Sequence, residues 1–413
     1  MSTTTDTDIE ARAQELIDTG KFIDFWTKTY HRQHIGDDAI AIEMPCANLT
    51  YNIKNSTGIS TIQITGESGN GKSHGAILVG KMMGRYCETE GMSPMALLYL
   101  AKDGLVEPGT VRILDDNRGN TGQWDIIKRN STEFRTGYKY STVINQKAVT
   151  MQLPAGLTII TTEVNAESEE EVLNRTDPIE VSGNLEKDES IMEADSRRLY
   201  DDKAETDIGN DIAICQRCWE MLKANTYIAV LPAGVKIDWR ERDDKGRVNH
   251  RNRHLMEDLM MALAAINYKQ RDHTVLDDGT IRVVINKEDF DTARELYRAK
   301  SKQIVTKLTA KERLVVNYTA GHKRVLKSQV EQDLKITSDR MSQLLHGKKS
   351  NGTKTMGIAD KVIGFEVEYI NEPVESQKGQ LGNARRCYLK YSGKPISESE
   401  EITWPAQWVE RSN

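Results

Sequence analysis

The sequence contains one pattern that is typical of phosphate chemistry, G-x-x-x-x-G-K-[S/T]. Its residues are Gly66, Glu67, Ser68, Gly69, Asn70, Gly71, Lys72 and Ser73. The glycines let the backbone curl so that successive N–H groups face a phosphate, while Lys72 reaches the outer oxygens and Ser73 supplies an oxygen to Mg²⁺. The β-type run 62–65 precedes the loop and the helical run 76–83 follows it, as this motif requires. We therefore expect residues 66–73 and the adjoining His74 to bind a nucleotide with Mg²⁺.

A pair of carboxylates follows the next apolar run along the chain. Asp115 and Asp116 come directly after Val111–Leu114, at the predicted end of a buried strand. Asp115 is expected to ligate Mg²⁺, and Asp116 is expected to polarise the attacking water. The alternative is that both merely begin a turn before Asn117.

Two further polar residues are candidates for contact with the transferring phosphoryl group. Asn165 follows the β-type run 157–161, and ligands of open α/β folds bind where strands end. Arg175 closes a predicted helix just before the strand 179–181, and a guanidinium stabilises charge on such a group. We expect Arg175 to lie at this same sheet edge and to complete a site with a neighbouring subunit. A plain surface arginine is the alternative.

The pattern of apolar residues divides the chain into five segments. Residues 1–58 have helical spacing and predict an N-terminal helical module. Short buried strands alternate with helices over 59–182, which predicts an α/β core with a parallel sheet. Residues 183–302 are expected to form an acidic, mobile insertion followed by a helical lid that contains a hairpin around Asp278-Gly279. The acidic part, 183–211, carries 10 Asp and Glu against 4 Lys and Arg.

Residues 303–393 have the element order of a winged helix-turn-helix. Capping-box pairs predict helices over 309–319 and 328–334, a third follows over 338–346, and two β-type runs come next at 362–370 and 385–391. The tail, 394–413, contains Trp404 and Trp408 and is expected to dock on a neighbour. The residues expected to contact DNA are Arg340 and Gln343 on the third helix, with Lys348, Lys349, Arg385 and Arg386 near the wing.

The charge distribution supports a polyanionic partner for this C-terminal segment. The whole chain has a net charge of −6, but residues 304–393 carry 16 Lys and Arg against 9 Asp and Glu, a balance of +7. The rest of the chain is therefore at −13. A basic module on an acidic body is typical of nucleic-acid binding, although a solvated surface is the alternative. The polar N-terminus and the lack of a long apolar run predict a cytoplasmic protein that does not enter the membrane.

The order of these motifs over residues 60–300 resembles the AAA+ ATPases, and among them the minichromosome maintenance (MCM)-type helicases. The resemblance lies in the phosphate loop, the acidic strand end, the segment 173–179 and the segment 251–257. It implies that Asn165 is sensor 1, that Arg175 is an arginine finger acting on the adjacent subunit, and that Arg251 or Arg253 is the arginine of the lid. Asp116 departs from the family by replacing its usual glutamate. Residues 1–58 are too short for that family's OB-fold domain, and 183–250 is an unusual insertion.

A predicted hairpin also resembles a feature of the MCM-type helicases. Residues 140–144 and 148–153 are β-branched runs joined by Asn145, Gln146 and Lys147, which places Lys147 at the tip. In that family such a hairpin points into the channel of a ring, where lysines follow a nucleic-acid backbone; an exposed lysine on a structural hairpin is the alternative. The sequence thus predicts an ATP-hydrolysing DNA motor, a hexameric replicative helicase of a mobile element, virus or plasmid. The alternative is an ATP-switched replication initiator or transposition regulator that binds DNA without unwinding it.

Overall fold

The chain consists of two compact units, Met1–Tyr297 with Ala406–Asn413, and Arg298–Pro405. The computed structural model describes residues 5–90, 95–115, 121–144, 146–163, 175–181, 185–200, 208–239, 248, 250–306, 308–322, 324–347, 349–350, 353–354, 357–362, 365–375, 381–391 and 406–410. In these ranges, no helix has the length and apolar character needed to cross a membrane.

The helices have the following bounds: α1 (Asp6–Asp18), α2 (Phe22–His31), α3 (Asp38–Leu49), α4 (Lys72–Met83), α5 (Ala96–Lys102), α6 (Thr121–Thr132), α7 (Leu185–Tyr200), α8 (Gly209–Lys223), α9 (His250–Ile266), α10 (Lys287–Thr306), α11 (Ala310–His322), α12 (Lys327–Asp333), α13 (Ser338–His346) and α14 (Ile358–Lys361). The strands are β1 (Thr61–Gly66), β2 (Cys87–Glu90), β3 (Val111–Leu114), β4 (Tyr138–Ile144), β5 (Lys147–Leu153), β6 (Thr158–Glu163), β7 (Asp177–Val181), β8 (Tyr227–Val230), β9 (Val235–Trp239), β10 (His273–Val275), β11 (Ile281–Val284), β12 (Arg324–Leu326), β13 (Lys349–Ser350), β14 (Thr353–Lys354), β15 (Phe365–Glu375), β16 (Leu381–Tyr391) and β17 (Ala406–Glu410).

A five-stranded parallel sheet in the order β2-β3-β6-β1-β7 forms the centre of the first unit. Every residue of β3 and β6 is buried, and so are the first four residues of β1. Strands that are buried along their whole length are typical of a parallel sheet with helices on both faces, so the predicted α/β fold is confirmed.

The N-terminal helices belong to the same compact unit as this sheet. Trp26 of α2 lies 6.1 Å from Trp219 of α8 between ring centroids, and its indole N–H donates to the Ala41 carbonyl at 2.9 Å. Glu10 of α1 forms an ion pair with Arg217 of α8. Helices α1 and α2 therefore pack on α8 of the same unit.

The structure corrects the prediction for residues 183–302. The acidic segment contains the helix α7, because its Leu, Glu, Lys, Met, Ala and Arg residues are strong helix formers even without a wide apolar face. The segment predicted to be helical after residue 212 contains β8 and β9 as well as the expected hairpin of β10 and β11. Strand β8 pairs in parallel with β11, about fifty residues away, a non-local pairing that local periodicity does not reveal. The tail strand β17 pairs with β9.

The hairpin of β4 and β5 is present, but Lys147 is not at its tip. Ile144 pairs with Lys147, which places Lys147 in the strand, and Gln146 just before it has the positive φ of 61° that hairpin turns favour. Lys147 is the exposed first residue of β5, while Met151 and Leu153 at the other end are buried. The end of the hairpin near Lys147 therefore projects from the core.

In the part of the second unit that the structure describes, the helices α11 to α14 accompany a three-stranded antiparallel sheet and the two-stranded pair of β13 and β14. Helix α11 leads into β12, α12 and α13 follow, and the long strands β15 and β16 form a hairpin, giving the sheet order β12-β16-β15. Its apolar core comprises Leu308, Val315, Val316, Val330, Met341, Leu344, Leu345, Ile358, Phe365 and Leu389. The predicted helices and the two β-type runs are present, and β12 is an addition.

A buried lysine makes an unusual contribution to the core of the first unit. Lys223, the last residue of α8, has its ammonium 3.2 Å from the Gly109 carbonyl and 3.4 Å from the Asn48 carbonyl. The rings of Tyr51 and Tyr86 lie 5.9 and 5.5 Å from it. Burial lowers the pKa of Lys223 from its ordinary 10.5 to about 7, because carbonyls and rings replace the water that would solvate the charge.

This buried lysine predicts a pH-dependent stability. Because the pKa of Lys223 is lower in the folded than in the unfolded chain, the unfolded chain holds the extra proton between these two values, and the free energy of unfolding rises with pH. Between about pH 7 and pH 9, urea titration should show it rising by about 1 kcal/mol per pH unit more in the parent than in Lys223→Met. Lys102→Met, at an exposed lysine on α5, should behave as the parent. Parallel pH profiles for parent and Lys223→Met would contradict the assignment.

Candidate nucleotide-binding site

The phosphate loop joins the C-terminal end of β1 to the N-terminus of α4. Gly69 and Gly71 have φ values of 89° and 84°, in the left-handed region that favours glycine. Gly66 is required for a different reason, since a Cβ there would lie 2.4 Å from the Val181 carbonyl oxygen of β7. Gly71 is the N-cap of α4 and provides no side-chain cap, so the first N–H groups of the helix face the loop. Such a helix start is suited to an anion.

Lys72 closes this loop. Its ammonium donates to the Gly66 carbonyl at 3.0 Å and to the Glu67 carbonyl at 2.7 Å, and its side chain is buried. The cation therefore lies against the inner side of the loop, beside the N-terminus of α4. Ser73 follows it on the first turn of the helix and is half-buried.

The predicted Mg²⁺ ligand Asp115 lies on the same edge of the sheet. It follows the last residue of β3, and its Oδ1 accepts a hydrogen bond of 2.6 Å from the hydroxyl of Thr162 on β6. Strand β6 lies between β3 and β1, so Asp115 and the phosphate loop end two strands about 10 Å apart. The uncapped helix start and this carboxylate fit a nucleotide with Mg²⁺, for which Asp115 and Ser73 would be the oxygen donors.

A buried polar cluster lies between the strands next to the loop. The Gln63 amide of β1 donates to the carboxylate of Glu163, the last residue of β6, at 3.0 Å. The Thr176 hydroxyl lies 3.5 Å from the Gln63 side-chain oxygen on the other side, just before β7. Gln63 is fully buried and Glu163 is 5% exposed. Glu163 therefore adds a second carboxylate to the sheet edge that carries the phosphate loop.

Arg175 lies at the opposite edge of the sheet, and its predicted position at the phosphate edge is therefore wrong. It precedes Asp177, the first residue of β7, which pairs with Ile62 near the start of β1. The phosphate loop follows Gly66, four residues or about 13 Å further along the strand. Because β7 is parallel to β1, residues just before β7 lie at the N-terminal edge of the sheet.

The guanidinium of Arg175 is held at the C-terminal end of α6. Its Nη1 donates to the Thr132 hydroxyl at 2.7 Å and to the Lys128 carbonyl at 3.2 Å. The last turn of a helix favours a cation because its carbonyls carry the negative end of the helix dipole. Arg175 is thus fixed at a distance from the phosphate loop of its own chain.

The arginines of the predicted lid lie at the start of α9. Arg251 is exposed, and Arg253 donates to Glu257 one turn later at 2.8 Å. Further along the same helix, the buried carboxylate of Asp258 accepts hydrogen bonds from the backbone N–H groups of Thr57 and Gly58 at 3.0 and 2.8 Å. Burial raises the pKa of Asp258, and these hydrogen bonds oppose that shift. Helix α9 is therefore tied to the segment that leads into β1.

The residues expected to contact DNA in the second unit do not all share one face. Arg340 donates to Gln343 at 3.2 Å on α13, which confirms that these two lie side by side. Arg385 and Arg386 are consecutive in β16 and so point to opposite faces of the sheet. Asp116, Asn165 and Lys348 lie outside the described residues, as does the side chain of Lys349.

The comparison with protein families agrees with this site. The model of the MTBMA_p00010 P-loop domain matches residues 8–225, more than half of the chain. The chain belongs to this family. The match extends from α1 to the end of α8 and so includes the N-terminal helices as well as the sheet of the P-loop domain. No curated protein matches the chain.

Sequence reasoning missed three residues that the P-loop domain brings to the loop. Thr162 and Glu163 precede the chosen Asn165 and end a buried strand, a signal that was visible in the sequence. His34 comes from the turn after α2 and lies against Gly71, where a Cβ would be 2.9 Å from its ring. Nothing in the local pattern connects His34 with a loop more than thirty residues away.

The position of Lys72 predicts that its removal weakens nucleotide binding. A charge-assisted contact to phosphate contributes about 1.5–3 kcal/mol, so Lys72→Ala should weaken binding of a fluorescent ATP analogue with Mg²⁺ by roughly 100-fold. Lys81→Ala, at an exposed lysine on the same helix, is the matched control and should bind as the parent does. Equal affinities for parent and Lys72→Ala would exclude this loop as the nucleotide site.

Proposed function

We propose that this protein is an ATP-hydrolysing DNA motor, a ring-forming replicative helicase of a mobile element, virus or plasmid. Membership of a P-loop domain family supports nucleotide binding and hydrolysis. The position of Arg175 at the sheet edge opposite its own phosphate loop is the observation that carries the proposal of a ring. An arginine at that edge takes part in hydrolysis only if it acts on the nucleotide of a second subunit.

The chemistry proposed at the P-loop is attack of water on the γ-phosphate of ATP. Lys72 and the N–H groups at the start of α4 bind the phosphate oxygens, and Ser73 and Asp115 hold Mg²⁺, which neutralises phosphate charge when bound. The hydrogen bond from Thr162 fixes the orientation of the Asp115 carboxylate. In this proposal Asp116 polarises the water and Asn165 contacts the γ-phosphate.

The neighbouring subunit would supply a guanidinium to the site, and hydrolysis at the site would in turn move that subunit. Arg175 stabilises the charge of the transferring phosphoryl group in trans, as arginine fingers do. Through Thr176, the next residue, it adjoins Gln63 and Glu163, which connect the two edges of the sheet. Arg251 or Arg253 of α9 is proposed as the arginine that the lid brings to the nucleotide.

Two exposed features support DNA as the partner of this motor. The hairpin of β4 and β5 carries Lys147 at its projecting end, beside the exposed Val143. In the second unit the order of three helices and a β-hairpin is that of a winged helix, whose third helix reads DNA. Arg385 lies 4.7 Å above the ring of Tyr369, and the Tyr369 hydroxyl is 3.4 Å from His346 at the end of α13. These contacts join one face of the hairpin to the proposed recognition helix.

The balance of +7 over residues 304–393 favours a second candidate, an ATP-switched DNA-binding initiator. In that case ATP orders an assembly on duplex DNA and no strand is displaced. A strand-displacement assay with a forked duplex separates the two functions. Unwinding that requires ATP and Lys72 supports the motor, whereas ATP-dependent duplex binding without unwinding supports the initiator.

The shared site predicts that two inactive variants restore each other. Arg175→Ala should bind ATP normally and hydrolyse it about 10³-fold or more slowly, because only the transition state loses a contact. Adding Lys72→Ala subunits, in which Arg175 is intact, should restore part of the hydrolysis measured by phosphate release. The double variant Lys72→Ala with Arg175→Ala should restore none.

A separate variant tests whether the role of Arg175 is purely structural. Thr132→Val removes the shorter of the two hydrogen bonds from Arg175 to α6 and keeps the guanidinium, so it should retain most of the activity of the parent. Loss of hydrolysis in Thr132→Val equal to that in Arg175→Ala, or no recovery at any mixing ratio, would contradict a finger acting in trans.

The hairpin predicts a selective effect on DNA-dependent activity. Lys147→Ala should leave ATP hydrolysis without DNA unchanged. It should reduce the stimulation of hydrolysis by DNA severalfold, because the substitution removes one contact with a DNA phosphate from each subunit. Lys139→Ala changes an exposed lysine near the base of the same hairpin and should have no effect. Equal DNA stimulation in parent and Lys147→Ala would remove the hairpin from the mechanism.

A further inference from the structure

A chain of four polar side chains connects helix α7 to the first turn of α4. The Lys187 ammonium of α7 lies 2.9 and 2.8 Å from the two carboxylate oxygens of Asp37. The same carboxylate lies 2.7 Å from Nε2 of His34. On the other side of this ring, Nδ1 of His34 is 3.0 Å from Nδ1 of His74, the residue after Ser73.

Three of these four side chains are largely shielded from solvent, unlike the members of a surface ion pair. His34 is 5% exposed, and the side chains of Asp37 and Lys187 are 9% and 11% exposed. Burial opposes the ionisation of Asp37, but hydrogen bonds from His34 and Lys187 outweigh it and lower the pKa of Asp37. The carboxylate is therefore charged, and the two partners satisfy it in a site with little water.

The backbone at Asp37 indicates that these contacts override local preference. Asp37 is the N-cap of α3, a position where an aspartate normally accepts a hydrogen bond from its own helix, yet it makes no such bond. It also has a φ of 60°, which costs a residue with a Cβ on the order of 1 kcal/mol. The side chain lies instead against His34 and Lys187.

The ring of His34 forms one wall of the phosphate loop. A Cβ on Gly71 would lie 2.9 Å from its Cε1, and a Cβ on Gly75 would lie 3.3 Å from the same atom. The His74 ring stacks on it with 5.3 Å between centroids and 26° between planes. Displacement of His34 therefore moves both the loop backbone and the ring of His74.

We infer that His34, Asp37 and Lys187 are positioning residues for the phosphate loop, and that docking of α7 through Lys187 sets the affinity of the site for ATP. His34 holds the Nδ1 edge of His74, which leaves the Nε2 edge of that ring on the side away from His34. Asp37 holds His34, and Lys187 determines whether the carboxylate is fully engaged. This inference rests on the proposed ATP site and adds a regulatory connection from the acidic segment to it.

The test compares variants of α7 in the full chain, with affinity measured by a fluorescent ATP analogue. Lys187→Gln should raise the Kd and the KM for ATP about tenfold and change kcat less than about twofold, since the chemical groups stay in place. Lys187→Arg keeps the charge and the donors and should restore the parental values. Arg197→Gln removes an equal charge from the same helix, where Arg197 forms an exposed ion pair with Glu193, and should have no effect.

A double variant distinguishes positioning from a general loss of stability. If Lys187 acts through His74, adding Lys187→Gln to His74→Ala should cause no further loss of affinity, whereas independent effects would multiply. Asp37→Asn should reproduce Lys187→Gln, and unfolding midpoints without nucleotide show whether either variant remains folded. Multiplying effects, or a parental Kd in folded Lys187→Gln, overturns the inference. A parent that binds no ATP overturns the proposed function instead.

Discussion

The parallel pairing of β1 with β6, and of β6 with β3, is the constraint on which the nucleotide site depends. Parallel strands end at one edge, so the phosphate loop, Thr162 and Asp115 meet there without any local sequence relationship between them. The contact of Thr162 with Asp115 requires the register in which Leu114 pairs with Thr161. A slip of one residue would turn the side chain of Thr162 to the other face of the sheet and break this contact.

A single buried amide reinforces that register. Gln63 is in the central strand β1, and its side chain touches Glu163 on one side and Thr176 on the other. Burying such polar groups without partners would cost about 1–3 kcal/mol each, so alternative registers that separate them are disfavoured. The same cluster extends from the phosphate edge, at Glu163, to the residue beside Arg175 at the opposite edge. The groups that specify the sheet therefore also connect its two edges.

The sequence predicted the parts of the site that depend on local order, and missed those that depend on long-range packing. The loop around Lys72, the strand before Asp115 and the hairpin near Lys147 follow from motifs and short periodic runs. The edge occupied by Arg175 was misassigned because it depends on where the chain crosses the sheet, which a residue's neighbours do not encode. His34 lies in the turn after α2, more than thirty residues before the loop, and Lys187 lies on α7, more than a hundred residues after it, so only the packed structure brings them together. The acidic α7 lacked an apolar face, and its contact with Asp37 is polar.

A half-buried cation and a buried anion, Arg135 and Asp258, bind the backbone of the segment that precedes β1. Arg135 donates to the carbonyls of Thr50, Tyr51, Ile53 and Ser56, while Asp258 of α9 accepts from the N–H groups of Thr57 and Gly58. Each charge matches the polarity of the backbone groups it meets, so neither needs a direct ion pair. Because Asp258 is 2% exposed, α9 cannot withdraw without leaving a buried carboxylate and two N–H groups unsatisfied. The first turns of α9 carry Arg251 and Arg253. If α9 moves, the start of β1 must therefore move with it, at the sheet edge where Arg175 lies.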